Sequence, residues 1–289
     1  MTFDGCYAKM LPRCRYRRAS GLLSVAFFVF IVFQIIVLNS QKTVQTVESS
    51  SDIKEGRRLF GENTQDDQIS SLFSHPADST VLVSYVYKMI KLPSGADYNL
   101  TYPHLQDFAR GQCQIIDEYL NKTENGYFVE IGVLDGERHS VSLFFERERN
   151  WNGLVIEPHP EHYNQLLHKN RKSSTLQACV KTNHTETKKE YKISDQHYFI
   201  PCLWMETILM ASGHRNIDLL AINVKSKEYD ILQSIPFDKF DIKTLSIEFT
   251  KGSDSEMDII KYLTSQGFRA QHEFANHLVK KSDLVFVKN

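Results

Sequence analysis

The stretch from Tyr127 to Pro158, YFVEIGVLDGERHSVSLFFERERNWNGLVIEP, places the strongest limit on what this chain can fold into. Four of the five residues from Tyr127 to Ile131 are aromatic or β-branched, the pattern of a buried strand. The strand runs into Glu130-x-Gly132-x-x-Asp135-Gly136, a tight acidic turn, and then into a helix-like run, Val141 to Arg147. A second buried strand, Gly153 to Ile156, closes on an acid, Glu157. Strand, glycine turn, helix, strand and terminal acid is the sequence form of a nucleotide-binding βαβ unit. The glycines let backbone approach a ligand, and Glu157 stands where it can accept hydrogen bonds from a ribose.

The remaining pattern extends that unit into a sheet. Pro160 to Lys172 reads as a helix, Thr175 to Val180 as a third strand, and 181–200 as an inserted hairpin or loop around the alternating patch KEYKIS. A helix over Leu203 to Ser212, stopped by Gly213, leads to a fourth strand, Leu219 to Val224. A helix over Tyr229 to Ile235, a fifth strand over Leu245 to Phe249 and a helix over Met257 to Gln266 follow. Phe268 to Phe274 and Leu284 to Val287 close the chain as an antiparallel pair. Upstream, Thr80 to Lys91 and Leu105 to Leu120 read as helices. Strands alternating with helices predict an α/β doubly wound, mostly parallel, Rossmann-like methyltransferase sheet with a C-terminal antiparallel hairpin. Its ligand site belongs at the carboxyl ends of the first two strands.

Residues 21–38, GLLSVAFFVFIVFQIIVL, contain no charge. At ~1.5 Å per residue such a helix reaches ~27 Å, about the hydrocarbon thickness of an endoplasmic reticulum bilayer. A cleaved signal peptide is the competing reading. The run exceeds an ordinary signal core, and Asn39-Ser40-Gln41 offers no small-residue cleavage site, so an uncleaved anchor is expected. Lys9, Arg13, Arg15, Arg17 and Arg18 precede it and hold the N-terminus in the cytosol. The expected plan is a cytosolic basic tail (1–20), one transmembrane signal anchor (21–38), a polar flexible stalk (39–79) and a lumenal domain (80–289). A net charge of −1 gives no reason to expect nucleic acid as a partner. The lipid bilayer, through 21–38, is the partner the sequence itself names.

Three Asn-x-Thr tripeptides, at Asn99, Asn121 and Asn183, are glycosylation acceptors on the lumenal side. Cys113, Cys179 and Cys202 lie there too and allow one internal disulfide. Cys179 with Cys202 is the candidate pair, and buried unpaired thiols are the alternative. His159 and His162 have metal-like spacing but no third ligand at zinc-type spacing. There is no Gly-x-Ser-x-Gly elbow, no His-Glu-x-x-His, no Walker loop and no Asp-x-Asp glycosyltransferase signature.

The runs Gly126 to Glu157 and Leu219 to Glu248 resemble the FkbM-type methyltransferase domain, which uses S-adenosylmethionine. More narrowly, GERHSVSLFFERERNWNGLVIEP, the Leu-Leu-x-Lys-x-Arg near 166–171 and DILQSIPFDKFDIKTLSIEF resemble the Star family. The resemblance implies a type II membrane protein that assists export of epidermal-growth-factor-receptor ligand precursors, or other membrane-anchored cargo, from the endoplasmic reticulum to the Golgi. Localisation could extend to late endosome or plasma membrane. It also implies that Glu130, Gly132, Asp135 and Gly136 surround the methionine part of the cofactor and that Glu157 binds the ribose hydroxyls. FkbM-type domains usually end the fourth strand in Asp-Val-Glu-Gly-x-Glu; this chain reads Asn223-Val224-Lys225-Ser226-Lys227-Glu228. Asn223 supplies no titratable base, Lys225 inverts a charge, and of the motif's three acids only Glu228 remains. The reading is a retained cofactor side with a rewritten acceptor side, as expected of a pseudoenzyme; an active O-methyltransferase acting on a glycan or other hydroxyl is the alternative.

Overall fold

The computed structural model describes residues 72–289 apart from 74, 107–108, 110, 225–226, 251–253 and 277–280. The basic tail, the 21–38 segment and most of the stalk therefore lie outside the described residues. Among the described residues no helix is long and apolar enough to cross a membrane.

Seven strands form the main sheet: β1 (Tyr127–Ile131), β2 (Asn152–Ile156), β3 (Ser174–Leu176), β7 (Asn216–Ile222), β8 (Asp241–Thr250), β9 (Phe268–Asn276) and β10 (Lys281–Lys288). Their order is β3-β2-β1-β7-β8-β10-β9. All neighbours from β3 to β8 pair in parallel, and β10 runs antiparallel to both β8 and β9. This is a doubly wound α/β sheet whose order reverses beside β1, with one reversed strand near its far edge. The switch between β1 and β7 opens a crevice at the strands' carboxyl ends.

Both faces of the sheet are buried, which is why its strands read as continuous apolar runs. On one face Val129, Ile131, Leu220, Ile222 and Leu245 pack under α1 (Thr80–Met89), α5 (Met205–Ala211), α6 (Glu228–Gln233) and α7 (Asp254–Ser265). On the other, Phe128, Val155, Leu219, Ala221 and Val285 meet α2 (Gln112–Tyr119), α3 (Ser142–Glu148) and α4 (Pro160–His168). Each fully buried aliphatic or aromatic side chain contributes about 1.5–3 kcal/mol.

Four boundaries differ from the sequence expectation, each for a visible reason. Packing begins before Thr80: Phe73 lies in the core, Ala77 accepts a hydrogen bond from Thr207 Oγ1, and Ser79 caps α1 through Leu82 N. The helix expected over Leu105 to Leu120 is reduced to α2, because Arg147 draws the carbonyls of Pro103 and Leu105 onto its guanidinium. The helix expected to run to Lys172 stops at His168, because Arg171 turns inward and Lys172 N donates to Glu146. The expected third strand divides. Ser174–Leu176 stays in the sheet, while β4 (Cys179–Val180) leaves to pair with β6 (Gln196–Leu203).

That departure creates a second, three-stranded sheet of order β4-β6-β5, in which β5 (Lys188–Ile193) and β6 form an antiparallel hairpin. Cys179 and Cys202 face each other across β4 and β6 and form a disulfide, while Cys113 is buried on the other side of the main sheet with its Sγ on Val141 O. Asn99, Asn121 and Asn183 are all exposed.

The segment ahead of α2 is tied to the domain by Glu137. Its buried carboxylate accepts from Thr101 N at 2.8 Å, Tyr102 N at 2.6 Å and Lys169 Nζ at 2.6 Å. Burial alone would raise its pKa; the Lys169 bond and the two backbone donors outweigh that and lower it. The unfolded chain therefore binds more protons than the folded one below the ordinary glutamate value of ~4.3, and stability falls as pH drops through that range. Glu137→Gln is expected to destabilise the protein at pH 7, with the gap to wild type closing below about pH 4. Urea unfolding at both pH values checks this; a gap that stays constant with pH would refute the charge-based account.

Candidate functional site

The carboxyl ends of β1, β2 and β7 open onto a cleft of about 560 Å³. Gly132 and Leu134 form its floor, Glu157 to His159 one side, and Asn223 and Val224 the other. Cys179 on β4 and Lys189 and Tyr191 on β5 bring the three-stranded sheet in as a further wall. The volume suits a ligand of nucleoside size, since small-molecule sites run ~300–1,000 Å³.

Two of the expected ligand residues are turned to the scaffold. The Glu130 carboxylate is 1% exposed and meets Ser140 Oγ at 2.7 Å, Val141 N at 3.0 Å and Ser142 Oγ at 2.5 Å. It serves the start of α3, an acceptor at a helix N-terminus. Asp135 Oδ1 accepts from Glu137 N and Arg138 N, so it closes its own turn. Neither acid lines the cleft. Gly132 and Gly136 both hold left-handed backbone, at φ 77° and 81°, and lie close against Asn223 and Leu166.

Beneath this loop lies a buried ion pair. Arg171 Nε donates to Glu146 Oε2 at 3.0 Å, and its other nitrogens donate to Gly136 O, Ser140 Oγ and Ser142 Oγ. One guanidinium thus holds the glycine turn, the start of α3 and the far end of the same helix. The block from Gly136 to Arg149 and the Arg171 downstream of it are, physically, joined by this network.

Of the acids expected at the cofactor, Glu157 is the one that lines the cleft. Its Oε2 accepts from Leu134 N at 2.8 Å and its Oε1 from His159 N at 2.9 Å. A carboxylate offers about four lone-pair sites, so the two backbone donors leave capacity for a ligand's hydroxyls. Burial raises its pKa, opposed by those two N–H groups and by His162. The carboxylate in turn helps burial push the Tyr191 phenol up to about 12.

Sequence reading missed the hairpin wall and the inner end of the cleft. Tyr191 sits edge-on to His159 at 4.9 Å, and Lys227 Nζ reaches Glu186 Oε1 at 2.7 Å at the cleft. The alternating KEYKIS patch was the available signal for Lys189 and Tyr191. His139, Asn223 and Glu248 form the partition between the cleft and a small inner cavity of about 20 Å³ bounded by Glu130, Gln112 and Asp283. Glu248 lies near the end of β8 and Glu157 directly follows β2, a likeness visible in LSIEF beside LVIEP. Of the altered fourth-strand motif, Asn223 closes β7 at the cleft, and Glu228 is buried at the start of α6 and does not line it. Lys225 and Ser226 lie outside the described residues. Among the described residues no group of three or more His, Cys, Asp or Glu is placed to hold a metal ion.

A doubly wound sheet with one reversed strand, and a cleft at its switch point closed by Glu157, define a Rossmann-like, methyltransferase-type domain. Residues 130–270 match the methyltransferase FkbM domain. Comparison with curated proteins found no match. Among solved structures, the chain is similar to a TehB-like SAM-dependent methyltransferase from Corynebacterium glutamicum at 11% identity and TM-score 0.39, over 63% of this chain and 89% of that one. It is also similar to TrmK from M. capricolum in complex with S-adenosyl-homocysteine, at 10% identity and TM-score 0.38, over 61% of this chain and 68% of that one. A third is a SAM-dependent methyltransferase from Aquifex aeolicus, at 13% identity and TM-score 0.37, over 61% and 88%.

S-adenosylmethionine is compatible with the residues present. The cleft has the size, Glu157 keeps acceptor capacity, and His159 Nδ1 is buried there without a hydrogen-bond partner. When bound, the cofactor would supply an electrophilic methyl group; Glu157 would hold its ribose, and Gly132 and Leu134 would line its site.

Proposed function

We propose that this protein is a Star-like, type II membrane protein that assists export of membrane-anchored cargo, such as growth-factor precursors, from the endoplasmic reticulum to the Golgi. In this reading 21–38 is the anchor and the FkbM-type domain a lumenal, non-catalytic module that retains its nucleoside cleft. The observation that carries the non-catalytic part is the acceptor end of that cleft. Asn223 presents a neutral amide where the family pattern has an acid, Lys227 is engaged by Glu186, and Glu228 is buried away from the cleft. The Star-like blocks and the anchor support the export role.

The test is cargo export in cells carrying Glu157→Ala in place of the wild-type chain. Glu157 is the variant of choice because Glu130 belongs to the scaffold, so its loss would confound folding with function. Export at the wild-type rate is expected; failure with a folded, correctly placed protein would overturn the non-catalytic reading.

A second reading, an active S-adenosylmethionine-dependent O-methyltransferase for a glycan or other hydroxyl, is favoured by His139 and Glu248. Both line the inner end of the cleft, where a titratable group could take a hydroxyl proton. Radiolabelled methyl transfer to secretory glycoproteins, abolished by Glu248→Gln, would establish it; no transfer above background would remove it.

A further inference from the structure

His159 and His162 flank the ribose acid with a geometry that the cofactor reading leaves unused. Their ring centroids lie 4.5 Å apart at a tilt of 33°. His162 Nδ1 is 3.7 Å from Glu157 Oε1, the oxygen that already accepts from His159 N. The His159 ring is held edge-on to Tyr191 of β5, with its Nδ1 buried and unpartnered. The other charged or titratable groups bearing on this trio are Glu161 on α4 and Lys189 and Tyr191 on β5. Further along the cleft, Glu186 and Lys227 neutralise one another.

We infer that Glu157, His159 and His162 form a proton-operated gate, which admits a nucleoside at neutral pH and expels it in mildly acidic solution. The inference rests on the reading that this cleft takes an adenosine-type ligand. With both imidazoles neutral, the spare lone pairs of Glu157 are open to a ribose diol. Two rings 4.5 Å apart resist carrying two charges at once. Burial and the neighbouring His162 disfavour the charged form of His159. His162 is the ring beside the carboxylate, so a proton arriving there needs a shift of less than about 1 Å to make a charge-assisted N–H···O bond of ~2.8 Å. That bond occupies the acceptor the diol requires. One proton is taken up as one ligand leaves, and it returns to solvent when the ligand rebinds; no other bond forms or breaks. On the placement proposed above, a lumenal domain would meet such a fall in pH along the secretory route.

The experiment is calorimetric titration of the full-length chain with S-adenosylhomocysteine at pH 7.5 and 5.5, for wild type, His162→Gln and His159→Gln. Wild-type affinity is expected to fall about tenfold or more across this span, over which an imidazole passes from neutral to charged. His162→Gln is expected to bind at both pH values within about twofold, since Gln carries no titrating proton. His159→Gln is expected to keep the wild-type fall. Binding that is flat with pH in wild type, or a fall that survives in His162→Gln, overturns the gate while leaving the nucleoside reading intact. No binding at either pH overturns both.

Discussion

Replacing Arg171 with methionine is expected to lower the unfolding free energy by about 3–5 kcal/mol, the usual result of removing one partner from a buried ion pair. Arg171 is 3% exposed and Glu146 5%. Without the guanidinium, the Glu146 carboxylate keeps one backbone donor, Lys172 N, and loses its counter-charge. The carbonyl of Gly136 and the hydroxyls of Ser140 and Ser142 lose donors at the same time. Each buried group left without its partner adds a desolvation cost of about 1–3 kcal/mol, unless water enters to replace the lost bond. Arg171→Lys is expected to recover only part of the loss, because a single ammonium cannot reach the three points that the fork spans. Arg171→Met with Glu146→Gln is expected to be more stable than Arg171→Met alone, since the second change removes the stranded charge. Urea unfolding of the four proteins measures all of this. A loss of less than about 1 kcal/mol in Arg171→Met would mean that the network relaxes onto water and does not organise the loop.

That network also shows where sequence reading succeeded and where it stopped. The strand Tyr127–Ile131 was legible to the residue, because a strand buried on both faces leaves an uninterrupted apolar run. Glu157 was legible because an acid directly after such a strand has a position fixed by the fold. Glu130 and Asp135 had the right residue types in the right turn, but a carboxylate near a glycine loop can face either a ligand or a helix start. Spacing does not separate the two. Only the hydroxyls of Ser140 and Ser142 and the backbone N–H groups, brought together in space, show that Glu130 belongs to α3. Arg171 lies 25 residues from Glu146, and its role depends on α4 ending at His168, a boundary that helical periodicity carries past. The hairpin wall was less legible still. β5 is mostly exposed, so KEYKIS has the alternation of a strand without the buried face that would fix its register, and Tyr191 reaches the cleft only because β4 leaves the main sheet to pair with β6. Asn223 follows β7 and Glu248 lies within β8, and their neighbours lie on other strands, so their shared partition emerges from the order β1-β7-β8 and not from their own surroundings in sequence.

Gly132→Ala is expected to remove the cleft and about 2–6 kcal/mol of stability together, from two costs that act at one atom. The first is conformational: at φ 77° an L side chain sits in a sparsely populated region, at about 1–3 kcal/mol. The second is steric: a Cβ at Gly132 would overlap the carbonyl oxygen of Asn223. That oxygen cannot swing aside as a side chain would, because Asn223 N is bonded to Ile131 O at 2.9 Å and Gly132 N to Ile156 O at 2.9 Å. The ends of β1, β2 and β7 are clasped around this one residue, so relief requires parting β1 from β7 along the line where the cleft opens. Forced overpacking of this kind costs about 1–3 kcal/mol. Gly136→Ala is the internal comparison: its φ is 81°, but its Cβ would meet a terminal methyl of Leu166, which can rotate away. The second cost is then largely absent, and the loss should be about half that of Gly132→Ala or less. Unfolding in urea gives the stabilities, and calorimetry with S-adenosylhomocysteine on whatever folds reports the cleft. Equal losses for the two alanines would show that left-handed strain alone accounts for both glycines. A Gly132→Ala protein that unfolds at the wild-type midpoint would show that the strand ends at this switch point part without cost, and the rigid floor inferred for the cleft would go with them.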